Sequence, residues 1–153
     1  MQRIIGLLAA LVLVGAADAE QSKPPATTGP LSGPTHFVDG RKKDPYLLAM
    51  IRQGMAKKVD FAGRYSSSTV SCGTACNSFW FVDRHTGAVI AAPESAAKDE
   101  FTWDIVTKPE SDLIQLVVGP MDDVGAKCFG LPYRWTGSAF VVAGKRTPVR
   151  CPG

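Results

Sequence analysis

The chain has 153 residues, of which 45% are hydrophobic and 20% are charged, and its formal net charge is +3. This length suits one domain of ordinary size, and the hydrophobic fraction excludes a wholly disordered protein. The small net charge excludes the dense basic surface that nucleic-acid binding requires, so we expect no nucleic-acid partner.

The first residues have the organisation of a secretory signal peptide. Arg3 precedes an apolar run over 4–14, which ends in the A-x-A cleavage pattern of residues 17–19. The run is shorter than the about 20 residues that a membrane-spanning helix needs. We predict a signal peptide over 1–19, a mature chain with no stable membrane span, and a periplasmic or secreted protein. A retained N-terminal anchor is the alternative.

A linker and a helix are predicted next. Residues 20–43 combine Pro, Gly, Ser and Thr without hydrophobic periodicity, which predicts a flexible linker. Asp44 suits a helix N-cap and Pro45 suits the first helical position. The apolar stripe that follows at helical spacing consists of Leu47, Leu48, Ile51 and Met55. We predict a helix over about 45–57 that packs on one face of a domain formed by residues 44–153.

The rest of the chain is predicted to form short strands. Alternating or apolar segments are separated by turn clusters, such as residues 83–87 and 136–137. No long crossover helix is present, so a parallel sheet is not expected. The predicted fold class is mainly β (α+β): one antiparallel meander of about seven strands with the N-terminal helix on a face. The predicted strands are 61–72, 76–83, 88–92, 101–106, 113–118, 127–135 and 138–142.

The cysteines are predicted to stabilise this domain as disulfides, because exported proteins keep paired cysteines oxidised. They are Cys72, Cys76, Cys128 and Cys151. A 72–76 bond can cross a hairpin, since directly opposed residues lie within disulfide range. A 128–151 bond would tie down the C-terminal tail. We favour this pairing; a type II′ turn at 73–74 would shift the register of residue 76 and is the open alternative.

The predicted 72–76 hairpin also sets the partners along its two strands. The serines at 66–68 would face Val82, Phe81 and Trp80, so small residues of one strand meet large residues of the other. This pattern favours packing complementarity between neighbouring strands. A shallow groove with the serines as its floor is the functional alternative.

No catalytic or metal-binding motif is present in the sequence. The cysteine spacing is not Cys-x-x-Cys, the only histidines are His36 and His85, and no Gly-x-Ser-x-Gly elbow occurs. We therefore predict no cofactor, no metal and no catalytic residue, and hence a protein that is not an enzyme. A hydrolase with a carboxylate pair is an alternative, and its candidate carboxylates are Asp99, Glu100, Asp104, Glu110, Asp122 and Asp123.

Candidate binding residues lie at the predicted hairpin tip and among the tryptophans. They are Gly73, Thr74, Ala75, Trp80 and Trp103. An exposed aromatic pair beside the tip would favour binding of a carbohydrate or a protein. Packing in the core is the alternative for each tryptophan, because strands favour aromatic residues for packing alone.

Three segments carry a resemblance to a known group of proteins. They are FAGRY at 61–65, CGTAC at 72–76 and DRHTGAV at 83–89. Together they resemble an uncharacterised family of small exported bacterial proteins with the motifs F-A-G-x-Y, C-G-T-x-C and D-x-x-T-G-x-V in this order. The resemblance covers residues 60–90, with a looser match over 133–140. It implies a shared fold but no activity. The chain departs from the family at 66–68, where bulkier residues are usual.

A weaker similarity is to the periplasmic inhibitor of vertebrate lysozyme, a small exported α+β protein with a disulfide-closed loop between strands. The loop of that family is longer and offers a histidine, whereas residues 73–75 offer neither. Fold alone does not imply function. We predict a non-enzymatic binding or interaction domain with a periplasmic protein as candidate partner. The alternative is an inhibitor or immunity protein of a wall-active hydrolase.

Overall fold

The computed structural model describes residues 31, 34–38, 44–73, 76–95, 97, 99–120 and 127–152. The predicted signal peptide over 1–19 and most of the predicted linker lie outside the described residues, as do residues 74, 75, 122 and 123. Within the described ranges, no helix is long and apolar enough to cross a membrane.

Helix α1 (Pro45–Gly54) begins where the sequence predicts and ends before the predicted residue 57. The Asp44 carboxylate accepts a hydrogen bond from the Leu47 N–H at 3.0 Å, which caps the helix. Met55 is already extended, with φ −69° and ψ 134°, and forms an isolated bridge with Ser68. The helix therefore ends early because the chain turns to run along a strand.

The mainly β class is confirmed, but the single antiparallel meander is wrong. The strands of the described residues are β1 (His36–Phe37), β2 (Tyr65–Gly73), β3 (Cys76–Asp83), β4 (Ala88–Ala91), β5 (Phe101–Val106), β6 (Leu113–Gly119), β7 (Cys128–Trp135), β8 (Phe140–Val142) and β9 (Thr147–Val149). They form two sheets. Sheet A has the order β1-β4-β3-β2, and sheet B has the order β5-β6-β7-β8, with β9 also paired to β7. Sheet A is mixed, because β1 pairs with β4 in parallel.

The two sheets and the helix form three layers, with sheet A in the middle. Strand β3 shows this directly, since Phe81 belongs to the core against sheet B whereas Trp80 and Val82 belong to the core against α1. Both faces of β3 are therefore apolar. Alternation in the sequence reports which faces are buried but not which strands share a sheet, so it could not separate sheet A from sheet B.

An aromatic cluster fills the space between the sheets. Phe61 lies 4.7 Å from Phe81, and Trp135 lies 4.9 Å from Phe140, measured between ring centroids. The other buried members of this cluster are Tyr65, Ile114, Leu116 and Val118. Burial of these large side chains is the main stabilising term for the packing of the two sheets.

A second cluster lies between sheet A and α1, and here small residues bring the layers close together. Ile51 of the helix is fully buried. The hydroxyl of Ser68 donates to the Ile51 carbonyl at 2.7 Å, and the hydroxyl of Ser66 donates to the Lys58 carbonyl at 2.8 Å. These serines are therefore covered by α1 and the segment after it, and they do not form an open groove.

The predicted strand partners are confirmed along most of the β2–β3 hairpin. Ser66 pairs with Val82, Ser67 with Phe81 and Ser68 with Trp80. Near the tip the register shifts between Ser71 and Gly73, so that Gly73 pairs with Cys76 and Cys72 lies in a bulge. The two cysteines form a disulfide with a Cα–Cα distance of 5.1 Å. Cys128 and Cys151 form the second disulfide, which gives the favoured pairing.

Candidate functional site

A cleft of about 330 Å³ opens at the end of the sandwich beside the β2–β3 hairpin tip. Its walls come from the start of β3, the end of β4 with the loop after it, and the start of β5. The chain crosses here from β4 of sheet A to β5 of sheet B. The polar residues that line the cleft are Asn77, Ser78, Glu94, Ser95, Glu100 and Thr102.

The hairpin side of the cleft is held by the disulfide and by a buried tryptophan. Cys76 lines the cleft and is bonded to Cys72. The indole N–H of Trp80 donates to the Ser78 hydroxyl at 3.1 Å, and that hydroxyl donates to the Val70 carbonyl at 3.2 Å. The ring of Trp80 also lies 5.6 Å from Phe37 of β1. This wall is therefore preorganised by its own contacts.

The opposite wall contains a carboxylate with two partners. Glu100 forms an ion pair with Arg146 and accepts a hydrogen bond from the Ser95 hydroxyl at 2.9 Å. The Arg146 guanidinium lies 3.8 Å above the ring of Phe129. The hydrogen bond from Arg146, together with that from Ser95, outweighs burial and lowers the pKa of Glu100. Glu100 is therefore ionised at neutral pH, and its proton is not available for general acid catalysis.

Three other polar side chains remain available for a ligand. Asn77 and Glu94 are exposed, and Thr102 is half-buried. Within the described part of the chain, none of the three side chains forms a hydrogen bond or an ion pair. An amide and a hydroxyl both donate and accept hydrogen bonds, whereas a carboxylate accepts them. Together they can bind a polar ligand without breaking the contacts that form the walls.

The structure does not bring the predicted binding residues together. Trp80 contributes to the wall of the cleft, but it is only 6% exposed. Trp103 does not line the cleft and lies close to Gly119 on sheet B. The exposed aromatic pair that would favour binding is therefore not formed by these two residues. Gly73 is exposed at the hairpin tip, and Thr74 and Ala75 lie outside the described residues.

The polar residues of the cleft were not predicted as a site. The segment over 93–100 appears in the sequence only as a polar loop. Its start lies near Asn77 because β4 pairs with β3, and Thr102 joins them through the crossing to sheet B. Of the predicted carboxylates, Glu100 lines the cleft but Asp99 and Asp104 do not. Among the described residues, no three His, Cys, Asp or Glu side chains come together as a metal site.

The other end of the sandwich is closed by the residues that carry the FAGRY resemblance. Ala62 and Gly63 take positive φ values of 48° and 66°. This turn directs the Ala62 N–H to the Ser111 carbonyl at 2.9 Å and the Gly63 N–H to the Pro109 carbonyl at 2.6 Å. These bonds join sheet A to the β5–β6 turn. The FAGRY segment is thus structural in this chain.

No family model, curated protein or solved structure matches this chain. Its resemblance to small exported bacterial proteins stays a prediction. Function is therefore inferred from the cleft, from the groups that line it and from the hairpin beside it.

Proposed function

We propose that the chain is an exported, disulfide-bonded binding protein and that the cleft beside the β2–β3 hairpin is its ligand site. One observation supports this most: Asn77, Glu94 and Thr102 surround a cleft whose walls are already held by other contacts. Rigid walls with a few available polar groups are typical of ligand sites, because the protein loses little freedom on binding.

Binding fits the chemistry of the cleft better than hydrolysis. A serine nucleophile needs a strong base beside it. The Ser95 hydroxyl does donate to Glu100, but the lowered pKa of that carboxylate makes it a weak base. The hydroxyl of Ser78 already bonds to Trp80 and Val70. These groups are suited to holding the walls of the site.

The size and polarity of the cleft point to a small ligand with hydrogen-bonding groups. Its volume of about 330 Å³ lies at the low end of the usual range for ligand sites, about 300–1,000 Å³. The available groups both donate and accept hydrogen bonds, which suits sugar hydroxyls or the amides of a short peptide. Glu94 adds a negative charge at the mouth, which disfavours anionic ligands.

A ligand screen with cleft variants tests this proposal. The full chain is titrated with neutral monosaccharides, disaccharides and dipeptides, and binding is measured by calorimetry. For any ligand that binds, Asn77→Ala and Thr102→Ala should each weaken the affinity about tenfold and leave the unfolding midpoint unchanged. Thr107→Ala, beyond the far end of β5, is the matched control and should bind normally. Equal affinity in all four proteins would reject the cleft as the site.

Export is proposed on the signal peptide pattern and is tested separately. Protein recovered from a periplasmic fraction or from medium should have an intact mass that corresponds to cleavage after Ala19. It should contain no free thiol, because both cysteine pairs are bonded. Retention of residues 1–19, or a reduced or metal-bound Cys72 or Cys76, would contradict this part of the proposal.

Inhibition of a wall-active hydrolase is the second candidate function. The observation that favours it is an exposed hairpin tip, Ser71 to Gly73, held by the Cys72–Cys76 bond next to the cleft. A rigid loop loses little entropy when it enters an active site. The test is a pull-down from periplasmic extract, followed by an activity assay of any stoichiometric hydrolase. Inhibition that a double Cys72→Ala, Cys76→Ala variant has lost would support it, and a hydrolase with unchanged activity would reject it.

A further inference from the structure

Positive charge is concentrated at one edge of sheet B. Residues 127–153 contain five Lys and Arg residues and no Asp or Glu. These cations are Lys127, Arg134, Lys145, Arg146 and Arg150. The segment forms β7, β8 and β9, and the last two strands both pair with β7 along the same edge. A basic edge of this kind attracts acidic partners, since charge complementarity favours and orients association.

Backbone groups of β8 are free at this edge. On the β7 side, the Ala143 N–H donates to the Pro132 carbonyl at 2.9 Å and the Thr136 N–H donates to the Ala139 carbonyl at 3.0 Å. Hydrogen-bonded and non-bonded pairs alternate in an antiparallel ladder, so the N–H and C=O groups of Phe140 and Val142 point away from β7. In the described ranges no other strand covers them.

The side chains along the edge that β8 and β9 form are apolar and basic. Val141 is 45% exposed and Val142 is 70% exposed. Lys145 and Arg150 are exposed, and neither has an ion pair with any residue that the structure describes. Arg134 and Arg146 differ, because Arg134 is paired with Asp112 at 2.8 Å and Arg146 is paired with Glu100. The unpaired backbone groups and the two exposed valines therefore lie on β8, and the two available cations lie farther along the same edge, Lys145 between β8 and β9 and Arg150 directly after β9.

Strand β5, at the opposite edge of sheet B, has two features that discourage a further strand from pairing with it. Strand β5 has a register shift between Thr102 and Asp104, and the Asp104 carboxylate accepts a hydrogen bond from the Ile105 N–H at 2.8 Å. A bulge and a side chain on the backbone both discourage strand addition. A second copy that presents β5 would therefore meet β8 with an edge that is already occupied, and one that presents its own β8 would bring two basic edges together, which like-charge repulsion disfavours.

We propose that the β8 edge binds an extended acidic segment of a partner protein, which adds to sheet B as a further strand. The partner backbone would pair with Phe140 and Val142, and its apolar residues would contact the exposed valines. Its carboxylates would lie near Lys145 and, where the segment continues along β9, near Arg150. Main-chain pairing with alternating side-chain contacts is the usual mode of strand addition. The stretch that offers backbone pairing is short, because β8 ends at Val142, β9 begins only at Thr147 and Pro148 lacks an N–H.

A peptide probe tests the edge directly. A fluorescent peptide of alternating Glu and Val is titrated with the full chain, and anisotropy reports binding. Its twin carries N-methyl groups on alternate residues, which removes backbone pairing but keeps charge and side chains. The Glu-Val peptide should bind saturably, and the methylated twin should bind at least about tenfold more weakly. Equal binding of the two peptides would overturn the proposal, and so would no binding of either.

Variants at the edge separate backbone pairing from charge. Val142→Pro removes an outward N–H without removing a bond to β7 and should weaken the peptide about tenfold, whereas Val142→Thr keeps the N–H and should bind normally. The double variant Lys145→Glu, Arg150→Glu should also weaken binding. Equal binding by the Pro and Thr variants would contradict strand addition. If Val142→Pro does not fold, the comparison of the Glu-Val peptide with its methylated twin still tests strand addition.

Other occupants give different results. Binding to phosphatidylglycerol vesicles without binding to the peptide would assign the edge to a membrane surface and overturn the proposal. Concentration-dependent association of the chain in ultracentrifugation, without peptide binding, would assign it to a second copy and also overturn it. The cleft variants Asn77→Ala and Thr102→Ala should leave peptide binding unchanged, so failure of the edge and failure of the cleft are distinguishable.

Discussion

Asp83 is a buried carboxylate, and its partners belong to two turns, at 62–64 and 84–86. It forms an ion pair with Arg64 and accepts hydrogen bonds from the His85 N–H at 2.8 Å and the Thr86 hydroxyl at 2.9 Å. Burial raises the pKa of Asp83, but the hydrogen bonds from Arg64, His85 and Thr86 outweigh burial and leave the pKa below its ordinary value. The ionised form therefore stabilises the folded state.

Replacement of Asp83 by Asn tests this residue. The variant should lose about 2–3 kcal/mol of unfolding free energy at pH 7, at the low end for a buried pair because Arg64 is 34% exposed. Since folding lowers this pKa, the stabilisation is present above the pKa of the unfolded chain, about 3.9, and is lost as the pH falls through the folded value. Urea unfolding over a pH series should show that the difference in unfolding free energy between the parent protein and Asp83→Asn becomes smaller below about pH 4.

The control for this prediction is an exposed ion pair of the same kind. Asp112→Asn removes the partner of Arg134, whose side chain is 51% exposed, and should cost less than about 1 kcal/mol. If the loss of unfolding free energy in Asp83→Asn stays constant down to acidic pH, the ionised carboxylate does not have this stabilising role. The turn at 83–87 was predictable from sequence, but the ion pair was not, because Arg64 lies on a different turn.

At the scale of an element, Gly54 shows why α1 packs so closely on β2. A Cβ placed at this position would lie 2.4 Å from the Thr69 carbonyl oxygen and 3.0 Å from the Ser68 hydroxyl oxygen. By helix propensity alone, a glycine here weakens the helix by about 1 kcal/mol relative to Ala. The structure adds the reason for it: the end of the helix touches the strand backbone, which cannot move aside.

Replacement of Gly54 by Ala should therefore destabilise the fold instead of improving the helix. We expect a loss of about 1–3 kcal/mol, because overpacking against backbone outweighs the gain in helix propensity. Chemical denaturation measures the difference. Gln53→Ala, at the exposed neighbouring position, is the control and should change stability by less than about 0.5 kcal/mol. A Gly54→Ala protein that is more stable than the parent would show that α1 does not pack this closely.

The elements themselves were largely predictable because their signals are local. The helix cap at Asp44, the turn at 83–87 and the strand partners of 66–68 all follow from neighbouring residues. Strand β1 was missed because a two-residue strand has no periodicity, and β9 was missed because Pro148 interrupts its pattern. The candidate site was missed for a related reason: Thr102 of β5 comes near Asn77 of β3 only after the two sheets have formed.

For the whole molecule, the two disulfides should contribute different amounts. The Cys128–Cys151 bond closes the longer loop, with a sequence separation of 23 against 4 for Cys72–Cys76. Loop-closure entropy predicts about 3 kcal/mol for the first and about 2 kcal/mol for the second. Cys128 is also buried, so its replacement removes packing as well.

Double replacement of each pair by Ala checks this difference. Removal of Cys128–Cys151 should lower the unfolding free energy more than removal of Cys72–Cys76, as measured by denaturant unfolding. The 72–76 variant should remain folded but should bind the cleft ligand more weakly, because Cys76 lines the cleft. A larger stability loss from the 72–76 variant would contradict the larger stabilising contribution that is assigned to Cys128–Cys151.

The central claim is that the cleft binds a small polar ligand, and NMR mapping of amide shifts tests it most directly. The full chain is titrated with the tightest ligand from the calorimetric screen. The largest shifts should fall on three described segments, residues 76–80, 91–95 and 100–102, which line the cleft. Shifts concentrated instead on the β8 edge or the outer face of sheet B, or no localised shifts at all, would contradict the assignment of the cleft as the binding site.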